Sequence, residues 1–430
     1  MSEAEQIDRL IALRRDLHQH PEPAWREFYT TARLVEAIER IGPDELYIGP
    51  EAIHADARWG VPSDAAAFEP WREQAIDAGA DPTIVEQLGD GHTGLVAVLD
   101  RGQGPHIALR VDIDALRREE ADDPAHTPAA KGFRSTHQGA MHACGHDAHA
   151  TIGVGVLEAI AASDFAGRLT VCFQPAEEEI GGGRALVASG HLDDVDHLFA
   201  IHVGLGYGTG EIVCGFGGFL AVSHLDATFH GDGAHAGAKP EAGRNAILAL
   251  SAAVQNLYAI TRHSDGLTRI NVGEISGGSA SNIIAENAAI SGEVRGGTTA
   301  LREFMKTRAK RVIEAAATMH GCDATVTFGA EAPSGESDPA LAELVEDAAE
   351  TVDAVETIHP DARFRGSEDA TYLMQHVQSR GGLATFVGVG TDHPGGHHTA
   401  TFDVDKASIG IGVEVIAEAI RLAATVDPDG

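Results

Sequence analysis

Only four cysteines occur among 430 residues, at positions 144, 172, 214 and 322. That spacing excludes the paired framework of a small secreted domain and fits a reducing compartment. Lysine is almost as scarce. There are five, Lys131, Lys239, Lys306, Lys310 and Lys406, within 31 basic residues set against 65 acidic ones. The resulting net charge of -34 excludes polyanions as natural partners, so neither nucleic acid nor an anionic membrane is expected. No apolar run reaches the roughly 18 residues that a membrane span needs. The opening Met-Ser-Glu-Ala-Glu lacks the basic and apolar regions of a secretory leader, and a cytoplasmic protein is expected. The acidity is spread along the whole chain, the pattern of a halophile's surface.

What is present reads as a globular α/β protein. With 43% hydrophobic and 22% charged residues, the chain can bury sizeable cores, and its length calls for two domains. Ile7, Leu10, Ile11, Leu13 and Leu17 recur at helical spacing and predict a first helix, stopped by the prolines at 21 and 23. Residues 43–93, rich in Pro, Gly, Asp and Ala, predict an irregular insertion with short helical pieces at most. Strand-like runs at 95–99, 107–113, 169–173 and 198–203 alternate with helical patterns. From about 216 to 330 the predicted order is βαββαβ, that of a small ferredoxin-like domain. Helix–strand alternation resumes after 338, with a strand at 383–387 and a long final helix near 407–424. The expected division is a catalytic domain of residues 1–215 and 331–430 interrupted by a domain of residues 216–330.

Side chains that bind metals gather at the predicted strand ends. Met141-His142-Ala143-Cys144-Gly145-His146-Asp147-Ala148-His149 carries a thiol and imidazoles, the usual ligands of zinc-like cations. The strand at 169–173 runs into Gln174-Pro175-Ala176-Glu177-Glu178-Glu179, three adjacent acids that repel one another unless a cation is near. His202 ends the strand at 198–203, and Gly395-Gly396-His397-His398 follows the one at 383–387. Each has an ordinary alternative: a core cysteine, a solvated acidic turn, a hydrogen-bonded core histidine, a decorated surface loop. Their shared place at strand ends of one sheet is where α/β folds form ligand crevices.

In this order the motifs resemble the M20 metallopeptidase and amidohydrolase family, in its Cys-Gly-His branch. The matching pieces are Leu17-His18-Gln19-His20-Pro21-Glu22, Arg110-Val111-Asp112-Ile113-Asp114-Ala115-Leu116, Met141 to Asp147 and Phe173 to Glu178. Ile201-His202-Val203-Gly204, Gly233 to Pro240, Gly366 to Ala370, and His398 four residues before Phe402 complete the set. The resemblance implies a mixed-sheet, metallo-aminopeptidase-like α/β catalytic domain with an inserted ferredoxin-like α+β dimerisation (lid) domain. It implies two divalent ions, zinc or manganese, held by Cys144, His146, Glu178, His202 and His398, with His397 the weaker match for the last position. Glu177 would be the general base, His235 would assist the oxyanion from a partner subunit, and Asn282 and Arg295 would grip the substrate carboxylate. Arg110 stands where other branches carry a metal-binding histidine, which makes Asp112 an orienting residue behind the ligands.

The implied reaction is hydrolysis of an N-acyl amino acid amide. N-(p-aminobenzoyl)-glutamate is the sharpest substrate expectation, and hippurate, indole-acetyl and N-acetyl amino acids or dipeptides are the alternatives. A homodimer, or a heterodimer with a related subunit, would form through the inserted domain. Two other classes compete: a non-catalytic binding subunit of a hydrolase complex, and a thiol enzyme built on Cys144. Intact Glu177 with five candidate ligands argues against the first. The absence of Cys-x-x-Cys and the surrounding acids argue against the second. For Arg295, pairing with Glu293 or another acid is the ordinary alternative.

Overall fold

The structure is a computed structural model that describes residues 3–426. Met1 and Ser2, on which the expectation of no leader partly rests, lie outside the described residues. The chain divides into two compact units, one of residues 1–217, 336–364 and 369–430, the other of residues 218–335 and 365–368. Residues 365–368, expected with the catalytic domain, group with the inserted unit.

The larger unit is built on an eight-stranded mixed sheet. Its first five strands are β1 (Glu45–Ile48), β2 (Leu95–Asp100), β3 (His106–Asp112), β4 (Arg168–Gln174) and β5 (His197–Val203). They lie in the order β1-β2-β4-β3-β5, followed by Leu383–Val389, Glu211–Val213 and Thr357–His359. β4, β3, β5 and Leu383–Val389 run parallel to one another, so their C-terminal ends share one edge. Every residue of β3 and β5 is buried. Strands covered on both faces have no polar face to alternate with, which is why they read as apolar runs. The helices Glu3–Gln19, Phe28–Glu39, His146–Ala161, Pro339–Glu350 and Ala407–Ala423 contribute to one core with the sheet.

Residues 43–93 hold more than the short helical pieces expected of them. β1 pairs antiparallel with β2 from Glu45↔Val98 to Ile48↔Leu95, adding an edge strand. Its four residues run from exposed to half-buried, too short and too mixed to stand out as a strand. The rest is helical in short lengths, including Glu69–Asp77 and Pro82–Gln87. The second of these starts where Asp81 accepts a hydrogen bond from Thr83 N and proline fills the first turn.

The inserted unit has the order strand Ala221–His230, helix Ala246–Tyr258, strands Thr268–Gly277 and Asn287–Gly296, helix Thr299–Met319, strand Asp323–Ala332. Its antiparallel sheet places Ala221–His230 and Asn287–Gly296 at the centre. Leu225, Ala227 and Phe229 face a core that also takes Ala249, Leu250, Met305 and Ile313 from the two helices. Asn245 and Thr298 cap those helices through side-chain oxygens.

Candidate metal centre

Three loops leaving the parallel edge of the larger unit, with His202 at the end of β5, carry the acids, the thiol and the imidazoles. Cys144 and His146 flank Gly145, whose φ of 95° lies in the left-handed region that costs a residue with a side chain about 1–2 kcal/mol. A Cβ there would also fall 2.5 Å from Val203 Cγ2. Only glycine lets the loop turn this close to β5 and start the helix at His146. His146 Nδ1 donates to Asp114 Oδ1 at 3.2 Å, and Asp114 Oδ2 accepts from Glu178 N at 3.0 Å. The other ring nitrogen, Nε2, is buried without a hydrogen-bond partner. It lies 3.7 Å from Asp112 Oδ1, 3.9 Å from Glu178 Oε1 and 4.0 Å from Glu177 Oε2.

Glu177 and Glu178 follow a strained residue. Ala176 has φ 56°, and its carbonyl accepts from Gly181 N and Gly182 N while Glu177 O accepts from Ile180 N. Buried Glu27 holds the turn by accepting from Ala176 N at 2.9 Å. Both acids reach the same ring, Glu177 Oε2 at 4.0 Å and Glu178 Oε1 at 3.9 Å from His146 Nε2. Holding a non-glycine residue in the left-handed region, as at Ala176, costs of order 1–3 kcal/mol, a pattern that clusters at functional sites.

Among the groups of donor atoms that result are Cys144/His146/Glu178, Cys144/His202/His397 and Asp112/His146/His149, each with all atoms within 4.8 Å of one another, and the first two contain Cys144. Bonds of about 2.0–2.3 Å to a tetrahedral zinc place neighbouring ligand atoms roughly 3.3–3.6 Å apart, and Cys144 Sγ stands 3.5 Å from His202 Nε2. His202 Nδ1 donates to Val203 O at 2.8 Å, which leaves the Nε2 lone pair on the Cys144 side. The donor set and the unpartnered His146 nitrogen fit a divalent cation. Without one, burial and then Glu178 push the Cys144 thiol well above its usual range. Burial opposes charge on His146 too, yet Asp112 and Asp114 outweigh it and hold the imidazolium well above its ordinary value.

The hydrogen bonds separate candidate ligands from supports. His397 Nε2 accepts from Leu205 N at 3.1 Å. Neutral His397 therefore carries its proton on Nδ1, the atom 3.7 Å from Cys144 Sγ, and is a donor to sulfur as it stands. His398 is 55% exposed at its side chain and lies with Nε2 3.6 Å from Glu178 Oε2, with no such backbone donor on its ring among the described residues. His149 uses both nitrogens: Nδ1 meets Asp112 Oδ1 at 2.5 Å and Nε2 accepts from Val203 N at 2.8 Å. It ties β3 to the end of β5 that carries His202. Asp112 Oδ2 is held by Arg110 at 2.8 Å, and Arg110 also reaches Gln174 Oε1 and Asp369 Oδ1. Despite burial, the charges of His146, Arg110 and His149 hold the Asp112 carboxyl well below the usual range.

With this geometry, comparison with known proteins is decisive. Residues 108–422 match the model of peptidase family M20/M25/M40. The chain belongs to that family. It is 41% identical over 411 residues to the indole-3-acetyl-aspartic acid hydrolase of Enterobacter agglomerans, with 94% of this chain and 93% of the relative covered. It is 40% identical over 408 residues to one of the subunits of p-aminobenzoyl-glutamate hydrolase of Escherichia coli (strain K12), with the same coverage. Among solved structures it is similar to an aminobenzoyl-glutamate utilization protein from Klebsiella pneumoniae, with 34% identity, a TM-score of 0.82 and 97% of each chain covered. The expected fold class and the expected metal-dependent amidohydrolase stand with these matches.

In this M20 chain the inserted unit carries the remaining candidates. Exposed His235 forms a bridge with Ile283, and Ala236 N donates to Asn282 O at 3.0 Å, so His235 and Asn282 sit on neighbouring segments. His235 Nδ1 accepts from Gly237 N and Ala238 N, both at 3.1 Å. That fixes the proton on Nε2 and makes the ring a hydrogen-bond donor. Arg295 takes its ordinary alternative. Its Nε and Nη2 close on the two oxygens of Glu293 at 2.7 and 3.0 Å, and Nη1 lies 3.4 Å from Ser367 Oγ. Asp114 was not among the expected site residues, and His149 was expected only in a supporting role, beside His142 and Asp147. The spacing of His146 and His149 on one helix was the signal for His149.

Proposed function

We propose that this chain hydrolyses the amide bond of N-acyl amino acids, with N-(p-aminobenzoyl)-glutamate its best substrate, released as p-aminobenzoate and glutamate. The observation that carries the reading is the pair of donor groups sharing Cys144, with Glu177 Oε2 beside them at 4.0 Å from His146 Nε2. Cys144, His146, Glu178, His202 and His398 would hold two divalent ions, zinc or manganese, with Cys144 common to both. His398 would join from beside Glu178, 3.6 Å away, although it is His397 that stands in the donor group with Cys144 and His202. Ions bound there supply Lewis acidity to water and to the amide carbonyl. Glu177 accepts the proton of the attacking water and returns it to the departing nitrogen. Nε2 of a partner copy's inserted unit, at the position of His235, donates to the carbonyl oxygen as it gains charge. Asp112, clamped by Arg110 and His149, holds its place beside His146 without itself taking part.

The inserted unit serves dimerisation, with a second copy or with a related subunit. Support for a partner comes from two relatives that are themselves named as one subunit of p-aminobenzoyl-glutamate hydrolase or its homologue. The acidic surface suits a cytoplasm of high salt. One specific observation favours a second substrate: the indole-3-acetyl-aspartic acid hydrolase is as similar as the aminobenzoyl-glutamate enzyme. The test is a panel of N-acyl amino acids given to metal-loaded protein at high salt, with amino acid release measured. Glutamate release from aminobenzoyl-glutamate, lost in Glu177→Gln with metal content unchanged, is expected, the loss being about 10²–10⁴-fold. Full activity of Glu177→Gln contradicts the mechanism, and release only from other conjugates removes the substrate.

A further inference from the structure

Residues 116–121 of the larger unit are tied down at both ends beside the metal centre. Leu116 exchanges two backbone hydrogen bonds with Met141, both 3.0 Å, three residues before Cys144. At the other end Ala121 N donates to Ala400 O at 2.8 Å, two residues after His398. Between these anchors stand Arg117, Arg118, Glu119 and Glu120. At roughly 3.3–3.6 Å per residue, the backbone of Arg118 cannot lie more than about 11 Å from either anchor.

The two acids of this strap are engaged elsewhere. Glu119 accepts from Arg134 at 2.8 Å and from Gly139 N at 2.7 Å. Glu120 takes His18, His126 and Ser135 N at 3.0, 2.7 and 2.6 Å. The two arginines are exposed, and neither side chain has a hydrogen bond or ion pair among the described residues. In a chain with about two acids for every cation, two consecutive arginines without a carboxylate on either are out of keeping with their surroundings. Arg295, the arginine expected to bind carboxylate, has its fork closed on Glu293.

We propose that Arg117 and Arg118 form a carboxylate subsite that receives the side-chain carboxylate of N-acylated aspartate or glutamate. This rests on the amidohydrolase reading above and adds what sets the preference for acidic amino acids. A guanidinium offers paired donors to a carboxylate. At an exposed site that attraction is also screened by salt, so the preference narrows as ionic strength rises.

The test compares N-benzoyl-glutamate with N-benzoyl-leucine, which share the acyl group and the α-carboxylate. Wild type and Arg117→Gln/Arg118→Gln are assayed at one fixed salt concentration. The double variant is expected to raise KM for the glutamate conjugate tenfold or more and leave KM and kcat for the leucine conjugate unchanged. Equal losses on both conjugates, or an unchanged preference, overturn the subsite. If wild type turns over neither conjugate, the hydrolase reading fails, and calorimetric titration with the same two compounds decides the subsite alone. Tighter binding of the glutamate conjugate that the double variant abolishes upholds it, and equal binding by both proteins overturns it.

Discussion

Replacing Arg110 by Met removes the guanidinium that joins two carboxylates in a fully buried cluster. Arg110, Asp112 and Asp369 all have side chains with 0% exposure, at distances of 2.8 and 3.1 Å. Removing one partner of a buried ion pair costs about 3–5 kcal/mol, because the charge left behind has lost its compensation. Here part of that compensation survives. Asp369 keeps Gln174 Nε2 and Gly183 N, both at 2.7 Å, and Asp112 keeps His149. The loss should therefore fall near 3 kcal/mol, still a large part of a typical total of about 5–15 kcal/mol. Urea unfolding followed by tryptophan fluorescence reads it directly. Adding Asp369→Asn removes one stranded charge and should restore at least about 1 kcal/mol. Metal affinity should fall about 10–100-fold, as when a group that orients ligands is lost. A loss below about 1 kcal/mol, or a double variant less stable than the single one, refutes this account of the cluster.

Gly145→Ala should destabilise by roughly 2–5 kcal/mol, summing the left-handed penalty and the clash with Val203 Cγ2. It should also lower metal content, whereas a stable variant with full metal would show that the loop tolerates a side chain. A pH dependence follows from His142, which burial keeps neutral down to about 3. The unfolded chain gains that proton below about 6.5, so the folded state binds fewer protons in that window. Stability is full above it and falls by roughly 1.4 kcal/mol per unit as pH drops. Metal-free His142→Leu should show a shallower loss than wild type between about pH 6.5 and 5, and equal slopes would remove His142 as the cause.

Much of this was legible in the sequence for physical reasons. Strands buried on both faces leave unbroken apolar runs, and β3, β4 and β5 announced themselves that way. Cys-Gly-His, weak alone, was legible only together with Glu177-Glu178, His202 and His398 at the other strand ends. Which nitrogen of a histidine is free was not. It depends on Leu205 N reaching His397 and Val203 N reaching His149, contacts that close only when distant segments meet. The same holds for Arg110 and its partner Asp369, 259 residues apart. For Arg295 the sequence left two readings open, a substrate carboxylate or Glu293, because the fork depends on strand geometry that residue types do not fix. β1 was missed because four residues at a sheet edge have no periodicity to detect.

The central claim is a two-ion centre whose halves share the Cys144 sulfur. Cobalt titration of the metal-free protein, with metal content counted per chain, tests it most directly. The account predicts two ions per wild-type chain and a sulfur-to-cobalt charge-transfer band. In Cys144→Ser the band should vanish and both ions bind more weakly. Two ions bound by Cys144→Ser with unchanged affinity, or a wild-type titration without the band, would contradict it.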